Sequence, residues 1–363
     1  MKRMRRIVEA AGPGWFTSVM GTGILGIGLV ASPVAIPGAA AAGVAVWALA
    51  ALVFAVIAPL LIVRAFMAPA GLLSTLRDPS TAQPWGAPPM AAFTIASGLV
   101  LIAARHGGGE LAIALAQGIW VAGAVLSLLS AFFVPYLMMT EHELKPEHAL
   151  GAWLLPVVPP IVASVPAALL LQTFPVALRS SILALAYGML GLGIALAALT
   201  IAVFYSRLFF AKVPRGALAP SMWLVVGPLG QSIAGAYALG TAAAPVWPHW
   251  GSGLQAAGVA YGVLTWGFAM YWLVLAGVTT LRETRKGMPF TLGWWSFTFP
   301  VGVLIAGSDA LYAATRAVLF EVAATALLAL LATTWAIVAT RTARNAVRGL
   351  AEPPVRRPLS NAA

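Results

Sequence analysis

Residues 291–302 read Thr291-Leu-Gly-Trp-Trp-Ser-Phe-Thr-Phe-Pro-Val-Gly302, an apolar run dense in aromatics, broken by Pro300 and uncharged until Asp309. Proline has no backbone N–H, so in a continuous helix the carbonyl of Ser296 loses its partner. In hydrocarbon that break is tolerated only where protein or a watery cavity surrounds it. A bulky ring beside it, Phe297 or Phe299, is suited to plug a narrow pore.

The rest of the chain places that stretch in a membrane. It has 61% hydrophobic and 9% charged residues and a mean hydropathy of +0.93, against about 25% charged in soluble domains. An all-α integral membrane protein is predicted. There is no cysteine, which excludes disulfides, thiolate metal sites and cysteine nucleophiles. A net charge of +11 raises the question of nucleic acid, but the Lys and Arg cluster in short loops as orientation signals. The expected surroundings are a lipid bilayer, with no nucleic acid partner.

At about 20 apolar residues per span, ten spans are predicted, near 13–32, 41–67, 89–105, 111–139, 151–173, 180–210, 219–246, 251–281, 291–315 and 317–349. With the N-terminus inside, only Arg105, Arg179 and Arg316 of the 21 basic residues fall on the far side, as the positive-inside rule requires. The reading is a multi-pass protein of the cell (inner) membrane with both termini cytoplasmic. A basic N-terminus covers 1–12, a ten-helix domain 13–349, and a disordered cytoplasmic tail 350–363.

Odd and even spans differ in character. In the first, Gly14, Gly21 and Gly28 recur every seven residues, a small-residue stripe for close helix packing. Prolines interrupt the fifth span (Pro159, Pro160, Pro166), the seventh (Pro228) and the ninth (Pro300), with Pro59 and Pro135 as exceptions on even spans. Five helical hairpins are therefore expected, odd helices forming an inner pore and even helices an outer ring.

The pore-lining candidates are Phe16, Ser18, Thr22, Phe93, Ser164, Gly227, Pro228, Gln231, Ser296 and Pro300. Their polar groups are hydroxyls and an amide, which with helix N-terminal dipoles would hold an anion weakly. Weak binding suits passage, because a conducted ion must leave as well as enter. No carboxylate or His at mid-depth offers a proton relay, which points to a passive channel or uniporter. The cluster Glu141-His-Glu-Leu-Lys-Pro-Glu-His148 could bind a divalent metal or sense pH, but Pro146 interrupts its register and a solvated loop is expected, without a metal site. Asp309, Arg316 and Glu321 are expected to form an ion-pair group. With every His at a loop or span end and no Cys, neither an enzyme nor a cofactor is expected.

Four stretches, taken in order, resemble one family. Gly12-Pro-Gly-Trp-Phe-Thr-Ser-Val-Met-Gly-Thr-Gly-Ile-Leu25, Asp78-Pro-Ser to Pro88-Pro-Met90, Trp223-Leu-Val-Val-Gly-Pro-Leu-Gly-Gln-Ser232 and Gly293-Trp-Trp-Ser-Phe-Thr-Phe-Pro-Val-Gly302 are similar to the first, second-to-third, seventh and ninth helical regions of the tellurite-resistance/dicarboxylate transporters. That family includes plant slow anion channels, malate permeases and sulfite efflux pumps. Asp78 stands where its pattern usually has His. The resemblance implies a homotrimer with one pore per protomer, carrying small inorganic anions or C4-dicarboxylates such as malate and succinate. Coupled efflux of sulfite, tellurite or a related oxyanion is the alternative. It also implies closure of the pore by a phenylalanine of the ninth helix, Phe299 before Phe297. Regulation by phosphorylation of long cytoplasmic tails, as in the plant members, is not expected to carry over.

Overall fold

The computed structural model describes residues 11–32 and 36–351, with side chains to 346. The predicted basic N-terminus and disordered tail lie almost wholly outside the described residues, as does the side chain of Arg348. Among the described residues every regular element is a helix and there is no strand. The main helices are α1 (Phe16–Ala31), α2 (Ala39–Met67), α3 (Ala87–Leu101), α4 (Gly109–Thr140), α5 (Ser164–Leu170), α6 (Val176–Ala211), α7 (Val226–Ala243), α8 (Gly251–Thr284), α9 (Phe299–Thr315) and α10 (Val318–Ala351).

Eight helical stretches among the described residues are long and apolar enough to cross a membrane. The third and fifth predicted spans are shorter than expected. The third keeps 15 residues of α-helix, ending at Leu101 before the 3-10 turn Ala103–His106, and proline breaks the fifth. The fifth is divided into Pro159–Val162, α5 and a closing 3-10 turn, Leu171–Thr173.

Every odd segment opens on a 3-10 turn: Pro13–Trp15, Gln83–Gly86, Gly151–Leu154, Gly216–Val225 and Leu292–Phe297. Pro300 therefore does not kink a running helix. It is the second residue of α9, after a junction at Thr298. Proline fits there because the first N–H groups of a helix have no intrahelical acceptor. Pro228 in α7 and Pro159 and Pro160 before α5 occupy equivalent starts.

Each even helix packs on the odd segment before it, and α1–α3–α5–α7–α9 contact one another in a closed cycle. Burial follows this division. The most apolar stretch is 72% buried for the seventh segment and 67% for the ninth, against 11% for α2 and 22% for α8. The odd segments are thus inside and the even helices outside. Glycine permits the close approaches. A Cβ on Gly230 would strike the backbone of Leu304, one on Gly302 would strike Ile24, and one on Gly151 would strike the carbonyl of Ser221.

The expected ion-pair group does not form. Among the described residues no ion pair joins Asp309, Arg316 and Glu321, and the ion pairs present link Glu283 to Arg282 and Lys286. Arg316 adopts left-handed backbone (φ 58°) at the turn after α9, and its guanidinium lies over the Tyr312 ring, 5.9 Å from the centroid. Asp309, two turns earlier, keeps a buried Oδ1 without a hydrogen-bond partner.

Gly151→Ala should force the fifth and seventh segments apart, at about 1–3 kcal/mol for overpacking, and lower the melting temperature in detergent. Gly191→Ala on α6, where a Cβ meets open space, should leave it unchanged or raise it, since Ala outranks Gly in a helix by about 1 kcal/mol. Equal melting temperatures for both variants would contradict the ring contact.

Candidate functional site

The 3-10 turns and first helical residues of the odd segments surround a cavity of about 460 Å³. Gly14, Thr17 and Met20 line it from the first segment, Gln83, Pro84 and Met90 from the third, Trp153 to Leu155 and Val158 from the fifth. Ser221, Gly227 and Pro228 line it from the seventh, and Trp295, Ser296, Phe299 and Pro300 from the ninth. Leu144, Glu147 and His148 border it from the loop after α4. The N-terminal turns of α1, α3, α7 and α9 all reach it, so four positive helix-dipole ends face one space.

Phe299 is 5% exposed and is the first residue of α9. Phe299 lines the cavity, whereas Phe297, equally buried, lies outside the lining. Phe297 is wedged edge-on between Trp223 and Trp294, with ring centroids 5.5 and 5.6 Å away. The Trp223 indole in turn donates to Thr280 Oγ1 at 2.7 Å, and Arg341 covers Trp294 at 4.8 Å. The two phenylalanines, two residues apart, therefore face different surroundings.

Of the pore-lining candidates, the structure brings Gly227, Pro228, Ser296 and Pro300 together around this cavity. The others pack away from it. Phe16 meets Phe54 of α2 edge-on at 6.0 Å, and Phe93 is fully buried against Gly123 of α4. Thr22 accepts from the Trp335 indole of α10 at 3.0 Å. Ser18 donates to the Trp15 carbonyl and Ser164 to that of Ile161. Gln231 is 5% exposed and makes no hydrogen bond among the described residues.

Sequence reasoning missed two parts of the cavity. Gln83 lies in what reads as a connecting loop; its 3-10 turn follows the short helix Pro79–Ala82, capped by Asp78. Glu147 and His148 read as part of a solvated loop, and they are exposed, yet they stand at the cavity's edge. No group of three or more metal-ligating side chains occurs among the described residues. His148 Nδ1 accepts from the Lys145 backbone N–H at 3.2 Å, and His142 Nε2 donates to the Leu76 carbonyl at 2.8 Å.

Asp78 holds the loop that carries Ser80 and Gln83. Its Oδ1 accepts from the Ser80 N–H at 2.8 Å, the Ser80 hydroxyl at 2.5 Å and the Thr81 N–H at 3.3 Å. The Ser80 bonds chiefly hold its carboxyl below the ordinary carboxylate range. A carboxyl whose pKa falls on folding contributes stability above its unfolded value, about 3.9, and loses it as pH drops through the folded value. Asp78→Ala should lower the melting temperature at neutral pH. The gap from wild type should close on acidification below about pH 4; a gap constant with pH would show that the carboxylate is not the cap.

Five helical segments enclosing a cavity without fixed charge on their walls make this a multi-span membrane protein built as a pore or carrier. The chain belongs to the voltage-dependent anion channel family, whose model matches residues 10–343. It is 31% identical to a sulfite efflux pump of Arthroderma otae over 335 residues, 90% of this chain and 88% of the relative. It is 32% identical to a sulfite efflux pump of Trichophyton rubrum over 80% of this chain and 79% of the relative. A malic acid transport protein of Schizosaccharomyces pombe is 27% identical over 50% of this chain and 43% of its own length. The family comprises channels and transporters, and these relatives carry anions.

Proposed function

We propose that the chain conducts small anions through a pore on the axis of the odd-segment ring, closed by Phe299. The observation that carries this reading is the position of Phe299, which lines the cavity where the 3-10 turn Leu292–Phe297 gives way to α9. There the ring can swing without breaking a helix. The closed packing cycle of odd segments and the outer placement of the even helices support ten spans in five hairpins. The short third and fifth segments cross within the ring, where protein, not lipid, surrounds their irregular backbone. The arrangement of basic loops supports cytoplasmic termini in the inner cell membrane, with the cavity opening to the cytoplasm. A homotrimer with one pore per protomer completes the reading.

A second reading, coupled export of sulfite or a related oxyanion, is favoured by the likeness to sulfite efflux pumps across 90% of the chain. A C4-dicarboxylate such as malate is the organic candidate, from the more limited likeness to a malic acid transport protein.

In planar bilayers, Phe299→Ala should raise anion current at least tenfold over wild type, since removing a plug that costs about 1.4 kcal/mol to displace already gives that factor. Phe297→Ala should change it little, because its ring is held between two tryptophans. A rise for Phe297→Ala alone would move the plug. Silence of all three proteins, with sulfite uptake into liposomes intact, would select the coupled exporter.

A further inference from the structure

Helix α10 is longer than the bilayer it crosses. From Val318 to Arg341 it rises roughly 35 Å at 1.5 Å per residue, against about 30 Å of hydrocarbon. Its outward face follows that limit. Val318, Leu319, Val322 and Ile337 are exposed apolar side chains. Beyond Ile337 the exposed side chains are small or polar, Arg341 and Arg344 among them. α8 makes the same change, from the exposed Leu281 to Arg282 and Arg285. Both helices thus mark the headgroup layer on the side of the membrane where α9 begins.

Arg341 is held in place within that layer. Its guanidinium lies over the rings of Trp294 and Phe290, 4.8 and 6.0 Å from their centroids, and the two rings meet edge-on at 5.3 Å. The Trp294 indole donates to the Pro289 carbonyl at 2.9 Å, so the shelf under the guanidinium is fixed. Among the described residues neither Arg341 nor Arg344, one turn on, makes a hydrogen bond or ion pair. Ring contact occupies the face of a guanidinium and leaves the N–H groups at its edge free, in the fork that matches phosphate oxygens. Glu283, at the end of α8, is buried and already accepts from Lys286 and the Gly216 N–H.

We propose that Arg341 and Arg344 bind the phosphate of an anionic phospholipid, and that the bound headgroup braces the turn before Phe299. Charge and place name the occupant. Two unpaired cations stand at the depth where a phospholipid carries its phosphate, and a zwitterionic lipid would bring its own cation against the second arginine. Contact supplies the brace. Trp294 packs edge-on against Phe297 at 5.6 Å, and Thr334 of α10 donates to the Phe297 carbonyl at 3.3 Å. A headgroup that keeps Arg341 over Trp294 adds to the hold of α10 on Leu292–Phe297. The site is independent of which solute is carried and of which ring closes the pore.

The test titrates full-length protein in a non-ionic detergent and counts bound lipid by native mass spectrometry. The probes are phosphatidylglycerol, phosphatidylcholine with the same acyl chains, and glycerol 3-phosphate. Each arginine should favour phosphatidylglycerol over phosphatidylcholine by about fivefold, the equivalent of about 1 kcal/mol per basic residue. Arg341→Gln and Arg344→Gln should each lose about that factor. Arg341→Lys, which keeps the charge without the fork or the stacking, should lose most of what Arg341→Gln loses. Arg285→Gln, exposed at the same level with no ring beneath it, should change affinity by less than about twofold, as for a screened surface charge. Equal losses for Arg285→Gln and Arg341→Gln, or full affinity in Arg341→Lys, would show a diffuse basic surface and overturn the site. Glycerol 3-phosphate binding as tightly as phosphatidylglycerol would overturn the lipid as its occupant. Hydrogen exchange reads the brace: phosphatidylglycerol should slow the amides of residues 292–297 by about threefold in wild type and leave them unchanged in Arg341→Gln. Unchanged exchange in wild type, with the lipid preference intact, would overturn the brace alone.

Discussion

A backbone amide in hydrocarbon has no water to bond, and this structure is arranged around that constraint. The odd segments break their helices at the 3-10 turns before α1, α3, α7 and α9, and α5 is broken further by Pro159 and Pro160. Such breaks are affordable only because the odd segments surround one another. The even helices, which face lipid, run unbroken for up to 36 residues. Irregularity inside and regularity outside are two results of one rule.

The ring in turn depends on glycine. Gly230 lies against the backbone of Leu304, and Gly307 lies against the carbonyl of Gly230. α7 and α9 thus meet backbone to backbone, and Trp266 of α8 fastens the pair from outside by donating to Ser308 at 3.0 Å. A lattice of this kind has little room for helices to slide. Change at the cavity then falls to single side chains, which is the setting in which an aromatic ring at a helix start can act as a plug.

Much of this was legible in the sequence, and the reason is physical. Apolar length and the distribution of basic loops reveal spans because both reflect the bilayer directly. A proline in an apolar run reveals a backbone break, which is why Pro228, Ser296, Phe299 and Pro300 could be singled out. What the break becomes was not legible: prolines read as kinks are helix starts after a 3-10 turn. Phe16, Thr22 and Phe93 illustrate a further limit. Their spacing marks a buried face, but which neighbour fills that face, Phe54, Trp335 or Gly123, depends on packing between distant segments. Gln83 was hidden because a polar residue between prolines looks like any loop.

The scarcity of charge on the odd helices also bears on how such a pore would answer the membrane potential. Moving one elementary charge through the field is worth about 2.3 kcal/mol per 100 mV. Phe299 carries none, and of α1, α3, α5, α7 and α9 only α9 holds a charged residue, Asp309. A ring that swung in this frame would do no electrical work. Voltage would then reach such a pore through the ion inside it or through charges on the even helices, such as Arg64, Arg179 and Glu321.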